Sequence, residues 1–295
     1  MRRISFVVIP FVFTLSASLF AADPAAEPLW PAGAPGALGN EPKDIPTMMT
    51  FLPPVENAAK TAVVIVPGGG YGGVCVEREG VRSAKWLSSL GIAAFVVDYR
   101  HRGRGYGHPA PLQDAQRAIR TVRAKAGEQG IAPERIGIMG FSAGGHLASS
   151  AGTHFDKGDP DAEDPVERVS CRPDFLILGY PVIAFGEPFT HVGSQHNLLG
   201  RDADAALIAK MSSEKQVTAE TPPAFLFTMN EDTVVPAENA IFFYMALRKA
   251  GVPAELHVYE KGIHGAGVYY DDVTTGVKAW RAQCENWLRD RKLLR

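Results

Sequence analysis

Cysteine is scarce in this chain of 295 residues: Cys75, Cys171 and Cys284 make up the whole set. An odd, widely spaced trio excludes a disulfide framework and a cysteine-based zinc site, and leaves room for one bridge at most. No H-E-x-x-H occurs, and His101, His108, His154, His196 and His257 lack ligand spacing, so no metal is expected. No G-x-G-x-x-G opens a helix with an acidic residue about 20 positions on, and no G-K-[ST] is present. Dinucleotide and P-loop phosphate cradles are thereby excluded, and no cofactor is expected. The interior has no block of Lys and Arg and the formal net charge is -2, so a nucleic-acid partner is not indicated. Internal repeats and a domain-splitting linker are missing as well.

A long apolar run occurs only at the start. Arg2-Arg3 precede an uncharged, apolar Ile4 to Phe20, and Ala21-Ala22 offer small residues for cleavage before Asp23. Residues 1–22 read as a signal peptide, since a run of about 17 residues is at the short limit for a membrane span. A secreted or periplasmic protein is expected, with no stable membrane association after cleavage and, lacking a cysteine near the cut, no lipid anchor. The rest is ordinary globular composition: 46% hydrophobic, 21% charged, with 30 glycines.

Residues 23–50 hold Pro24, Pro28, Pro31, Pro35, Pro42 and Pro46 and read as an extended lead-in to a domain covering 51–295. From Thr61 onward strands and helices alternate. Strand candidates are Ala62–Val66, Ile92–Tyr99, Arg135–Met139, Phe175–Tyr180, Ala224–Met229 and Glu255–Tyr259, mostly continuous apolar runs suited to a parallel sheet buried on both faces. Leu112, Ala115, Ile119, Val122 and Ala126 form one helical stripe, with Pro111 at the first position, Asp114 near the positive end and Gly130 as a stop. Further helices are expected around Glu238–Ala250 and on Val277, Trp280, Cys284 and Trp287. The fold class is α/β: a single mostly parallel sheet with helices on both faces. The segment 183–222, with Phe185, Phe189, His191, His196 and a helix-like Ala205–Met211, is longer than a crossover needs. It is expected to overhang the C-terminal strand edge, where ligands bind in such sheets.

The chemistry centres on Gly140-Phe141-Ser142-Ala143-Gly144, a G-x-S-x-G placed between a strand and a helix. A serine on that sharp turn projects its hydroxyl above the sheet, beside the N–H groups of a helix N-terminus. A hydroxyl needs a base, an orienting acid and an oxyanion hole. His264, in a glycine-flanked loop after the last strand, is the candidate base. Asp232 is the candidate acid, with Glu231 as the alternative. The Ala143 N–H and the loop Pro67-Gly68-Gly69-Gly70-Tyr71 are the candidate oxyanion hole, with Gly69 and Gly70 as donors and Tyr71 N–H a further one. His146, four positions after the serine, reads as a packed, hydrogen-bonded residue and not as the base. His191 and Val235 are candidate substrate-binding residues.

These segments, with Pro111-Leu112-Gln113-Asp114-Ala115-Gln116-Arg117-Ala118-Ile119, occur together and in order. The chain resembles the α/β-hydrolase esterases related to acetyl xylan esterases and bacterial feruloyl/acetyl esterases, from about Thr61 to Leu294. Pro67 stands where hormone-sensitive-lipase-like esterases have His. The resemblance implies a serine carboxylic-ester hydrolase without metal or cofactor, acting through an acyl-enzyme on Ser142. Its expected partner is an acetylated oligo- or polysaccharide or another small ester, with a short-chain carboxylesterase or feruloyl esterase as the alternative. A prolyl-oligopeptidase-type peptidase is disfavoured because no propeller precedes the domain. A non-catalytic binding protein is disfavoured because serine, acid and histidine are all retained.

Overall fold

The computed structural model describes residues 23–267 and 276–294; the expected signal segment lies outside them. Eight strands form one sheet: β1 (Ala26–Pro28), β2 (Thr47–Phe51), β3 (Ala62–Val66), β4 (Ala93–Asp98), β5 (Ile136–Phe141), β6 (Leu176–Gly179), β7 (Ala224–Met229) and β8 (Ala254–Tyr259). Their order is β1-β2-β4-β3-β5-β6-β7-β8. β1 and β2 pair antiparallel, as do β2 and β4, and every other pairing is parallel.

The central parallel strands β3, β5, β6 and β7 are buried along their whole length because both faces are covered, whereas the edge strand β8 carries Glu255 and His257 and is only partly buried. Along β3, Ala62, Val64 and Val66 enter one core, with Ile119, Val122, Leu147 and Leu247. Val63 and Ile65 enter the other, with Leu87, Trp280, Cys284 and Trp287. Alternate side chains of a strand point to opposite faces, so one apolar run serves two layers. The helices α2 (Ala110–Ala124), α3 (Ala143–Thr153) and α6 (Glu238–Lys249) supply the first layer; α1 (Arg82–Ser89) and α7 (Trp280–Asp290) supply the second. Between β6 and β7 lie α4 (Val192–Leu199) and α5 (Ala205–Lys210), inside the long segment read from the sequence.

Residues 23–50 are more than a lead-in. Glu27 pairs with Met48, and Thr47 to Phe51 pair with Asp98 back to Ala94, so a division at 50/51 falls inside β2. The Arg100–Asp114 pair anchors this arm. Both side chains are fully buried, and Arg100 Nη2 lies 2.8 Å from Asp114 Oδ1. Arg100 Nη1 donates to Pro35 O at 2.7 Å, and Trp30 Nε1 donates to Asp114 at 3.1 Å. Asp114 is therefore an ion-pair partner in the core as well as an acid near a helix start. Helix α2 begins at Ala110, with Pro111 second, and ends at Ala124; Gly130, at φ +67°, closes the turn beyond it. The three cysteines stand as free thiols, two of them buried. Among the described residues no helix is long and apolar enough to cross a membrane.

Candidate active site

Three loops at the C-terminal edge of the sheet converge on Ser142. It follows β5 directly, at φ 54° and ψ -124°, and its next residue opens α3. Few non-glycine residues occupy that backbone region, and the turn persists because its surroundings leave no room for another. A Cβ on Gly140 would stand 2.0 Å from Gly144 O, and one on Gly144 would stand 2.0 Å from Val66 O. Close packing of strand, turn and helix accounts for both outer glycines of the pattern. Ser142 N–H donates to Gly179 O at 3.1 Å, while its carbonyl accepts the N–H groups of Val182 and His146.

His264 reaches the serine from the loop after β8. Its Nε2 lies 2.8 Å from Ser142 Oγ and its Nδ1 lies 2.7 Å from Asp232 Oδ2. A carboxylate only accepts, so Nδ1 carries the proton and Nε2 offers its lone pair to the serine hydroxyl. The Asp232 carboxylate is buried, and its Oδ1 accepts the N–H groups of Val234 and Val235, both at 2.9 Å. Those bonds fix the carboxylate in the turn after β7. Glu231, one residue earlier, points elsewhere and meets Gly262 N at 3.4 Å.

The glycine loop follows β3. Gly69, Gly70 and Tyr71 have φ values of 136°, 63° and 56°. A Cβ on Gly68 would stand 3.0 Å from Ser142 Cβ, which brings this loop against the serine. Among the described residues the N–H groups of Gly69, Gly70, Tyr71 and Ala143 have no protein acceptor. The Tyr71 side chain is buried and its hydroxyl lies 2.8 Å from His146 Nδ1. His146 Nε2 donates to Met211 O at 2.7 Å, and its ring stacks on Phe185. Burial lowers the His146 pKa to about 4. This histidine is neutral, locked and turned away from Ser142.

The long segment after β6 reaches the same loop. Asn197 on α4 donates to Gly70 O at 2.8 Å, and Arg102 donates from Nε to Asn197 O. A Cβ on Gly70 would lie 4.0 Å from His191 Cε1. His191 Nδ1 accepts from Ser194, leaving Nε2 as the protonated nitrogen. Burial, and then the charge of His264, lower its pKa. His191 is thus beside the site. Val235 is not: its side chain is 1% exposed in the core, and it contributes a backbone N–H to Asp232. In the turn after Asp232, Thr233 and Val234 face outward, Val234 at 46% exposure, before Val235 turns into the core.

Sequence reasoning missed Glu79, Tyr180 and Asn197. Glu79 lies in a charged stretch that resembles a solvated helix face, and Tyr180 ends an apolar strand; neither has a motif to mark it. Among the described residues no cluster of His, Cys, Asp or Glu has the geometry to hold a metal.

The BD-FAE family model matches residues 48–247. The chain belongs to the BD-FAE family. It is 39% identical over 244 residues to an acetylxylan esterase of Xylanibacter ruminicola, covering 79% of this chain and 47% of that protein. It is 35% identical over 252 residues to endo-1,4-beta-xylanase B of Butyrivibrio fibrisolvens, covering 84% of this chain and 39% of that protein. The chain therefore spans less than half the length of either relative. A solved acetyl ester-xyloside bifunctional hydrolase from Caldicellulosiruptor lactoaceticus superposes with a TM-score of 0.85 at 43% identity, over 94% of this chain and all of that one. The fold of this BD-FAE member is that of the α/β-hydrolase esterases. The family match ends before His264, which the structure itself brings to Ser142.

Proposed function

We propose that the chain is a serine carboxylic-ester hydrolase that removes acetyl groups from carbohydrate, acting through an acyl-enzyme on Ser142. The hydrogen-bonded chain Asp232–His264–Ser142 carries this reading. His264 Nε2 takes the Ser142 proton as Oγ attacks the ester carbonyl. The N–H of Ala143 and those of the Gly69–Tyr71 loop receive the oxyanion, in a cleft where fixed donors need no reorganisation. The imidazolium, held by Asp232, returns its proton to the leaving alcohol. Water, deprotonated by the same nitrogen, then releases the acid and restores Ser142.

A carbohydrate acetyl ester is supported by the xylan-related relatives and by the 43% identical acetyl ester-xyloside hydrolase. Export through residues 1–22 agrees with an extracellular polymer or its fragments as substrate. Turnover of acetyl, butyryl and feruloyl esters, of acetylated xylan and of an X-Pro amide, by wild type and by Ser142→Ala, tests the reading. Acetate release from acetylated xylan that disappears in Ser142→Ala is expected. A Ser142→Ala protein with wild-type turnover overturns the mechanism, and a preference for feruloyl esters overturns the substrate. Export is tested by N-terminal sequencing of protein recovered outside the cytoplasm: a start near Asp23 is expected, and an intact Met1 in the cytosol overturns it.

A further inference from the structure

A second buried carboxylate lies behind the glycine loop. Glu79 is 2% exposed and sits in the π-helical turn Val76–Val81 that leads into α1. Such turns are rare and concentrate at functional sites. Glu79 Oε2 accepts the Gly68 N–H at 2.7 Å, and Oε1 accepts the Tyr180 hydroxyl at 3.0 Å. The same hydroxyl accepts the Gly267 N–H at 3.0 Å, in the loop that carries His264. The edge-on rings of Tyr180 and His264 have centroids 5.0 Å apart. Tyr180 adopts φ 33°, a region costly for a side chain with a Cβ, and is held there by this network. One carboxylate thus joins the oxyanion loop directly, and the base loop through one tyrosine.

Packing alone does not call for a carboxylate here, because burying a negative charge without an ion-pair partner is unfavourable. Among the described residues Glu79 has no such partner. Burial raises its pKa, while the bonds from Gly68 and Tyr180 and the charges of Arg78 and His264 act the other way. Resting on the assignment of Ser142 and His264 above, we propose that Glu79 is a positioning residue for ester hydrolysis. It ties the oxyanion loop to the base loop, and its buried charge stabilises the His264 imidazolium as it forms.

The groups facing His264 are Asp232 after β7, Tyr180 after β6, His191 in the long segment, Glu79, and Arg78, whose Nη2 would lie 3.4 Å from a Cβ on Gly265. Glu79 is also faced by Cys75 and by Tyr99. Removing one negative charge from this set makes His264 easier to deprotonate. The acid limb of kcat/KM then moves to lower pH, although kcat falls because the imidazolium has lost a partner.

Glu79→Gln keeps the shape and removes the charge. With 4-nitrophenyl acetate, kcat is expected to fall about 10-fold with KM within about twofold. The acid limb is expected to move down by roughly half a pH unit. Glu79→Asp should return the limb toward wild type. An unchanged kcat overturns the proposal; so does a lower kcat with the acid limb in place, the mark of a merely structural loss. Should Glu79→Gln fail to fold, Tyr180→Phe cuts the tie to Gly267 while keeping the carboxylate. It is expected to lower kcat severalfold at unchanged KM, and an unchanged kcat overturns the proposal. Ser142→Ala, assayed beside them, separates the two ideas. Inactive Ser142→Ala with wild-type behaviour in Glu79→Gln removes only the positioning role, whereas active Ser142→Ala removes the hydrolase reading and this one with it.

Discussion

His264 Nε2 stands 2.8 Å from Ser142 Oγ although 122 positions separate the two residues. Neither the loop after β8 nor the turn after β5 is useful alone; the sheet edge makes them one unit. Residues that act as a unit lose activity together. Ser142→Ala and His264→Ala are each expected to lower kcat by about 10⁵ to 10⁶, and the double variant no further. Asp232→Asn should cost about 10⁴, because its amide no longer favours the proton on Nδ1. Steady-state assays on one acetyl ester read all four proteins, and losses that multiply in the double variant would argue against a shared mechanism.

His146 gives a stability signature that involves no catalysis. Its pKa is lowered to about 4 in the fold, from an ordinary value of 6.5, because burial disfavours the charged ring. The unfolded chain therefore binds a proton more readily than the folded one between those values. The contribution to stability is complete above about pH 6.5 and is lost as pH falls toward 4. By pH 4.5 the loss amounts to about 2–3 kcal/mol. Urea unfolding at pH 7 and pH 4.5 measures it. A His146→Gln protein is expected to be less stable at pH 7, and to lose less than wild type on acidification by about that amount.

Most of the sheet was readable from composition and period, since the parallel strands other than the edge strand β8 are largely apolar runs of strand length between helical stripes. The serine turn, the acid and the histidine were readable because their chemistry demands particular residue types after particular strands. What escaped had no such demand. β1 and β2 are short, proline-flanked strands, β1 at the sheet edge and β2 between it and β4, whose pairing depends on the open side of β4 and not on their own pattern. Val235, a substrate-binding candidate from the sequence, lies in the core instead. Its direction depends on a turn in which two consecutive N–H groups bind one carboxylate, and that inverts which valine faces out. Glu79 and Tyr180 are invisible for a third reason: they bond to each other across 101 positions and otherwise to backbone N–H groups, and neither kind of bond leaves a mark in a local side-chain pattern.

Gly144 and Gly127 make a matched pair. A Cβ at Gly144 would lie 2.0 Å from Val66 O, whereas one at Gly127 meets nothing within 4 Å. Gly144→Ala must separate α3 from β3, and a cost of about 4 kcal/mol or more is expected, with loss of soluble protein as its extreme. Gly127→Ala should be neutral or stabilising by up to about 1 kcal/mol, through the reduced freedom of the unfolded chain. Thermal and urea melts of the two variants provide the check. Similar stabilities for both would mean that the elbow is not packed as described.

Arg100 and Asp114 test how the N-terminal arm is held. Both side chains are at 0% exposure, and Arg100 uses one further nitrogen on Pro35 O. Removing one partner of such a pair leaves the other charge buried and alone, and costs about 3–5 kcal/mol. Asp114→Asn is therefore expected to lower the urea midpoint strongly. It should also speed proteolysis in residues 23–50, because Trp30 and the Pro35 carbonyl are fastened through the same pair. Lys215 and Glu187, 2.8 Å apart but 43% and 34% exposed, are the contrast. Lys215→Ala should cost no more than about 1 kcal/mol, since water already serves both ions. If Asp114→Asn and Lys215→Ala shift the midpoint equally, burial of the Arg100 pair is not what secures the arm to the sheet.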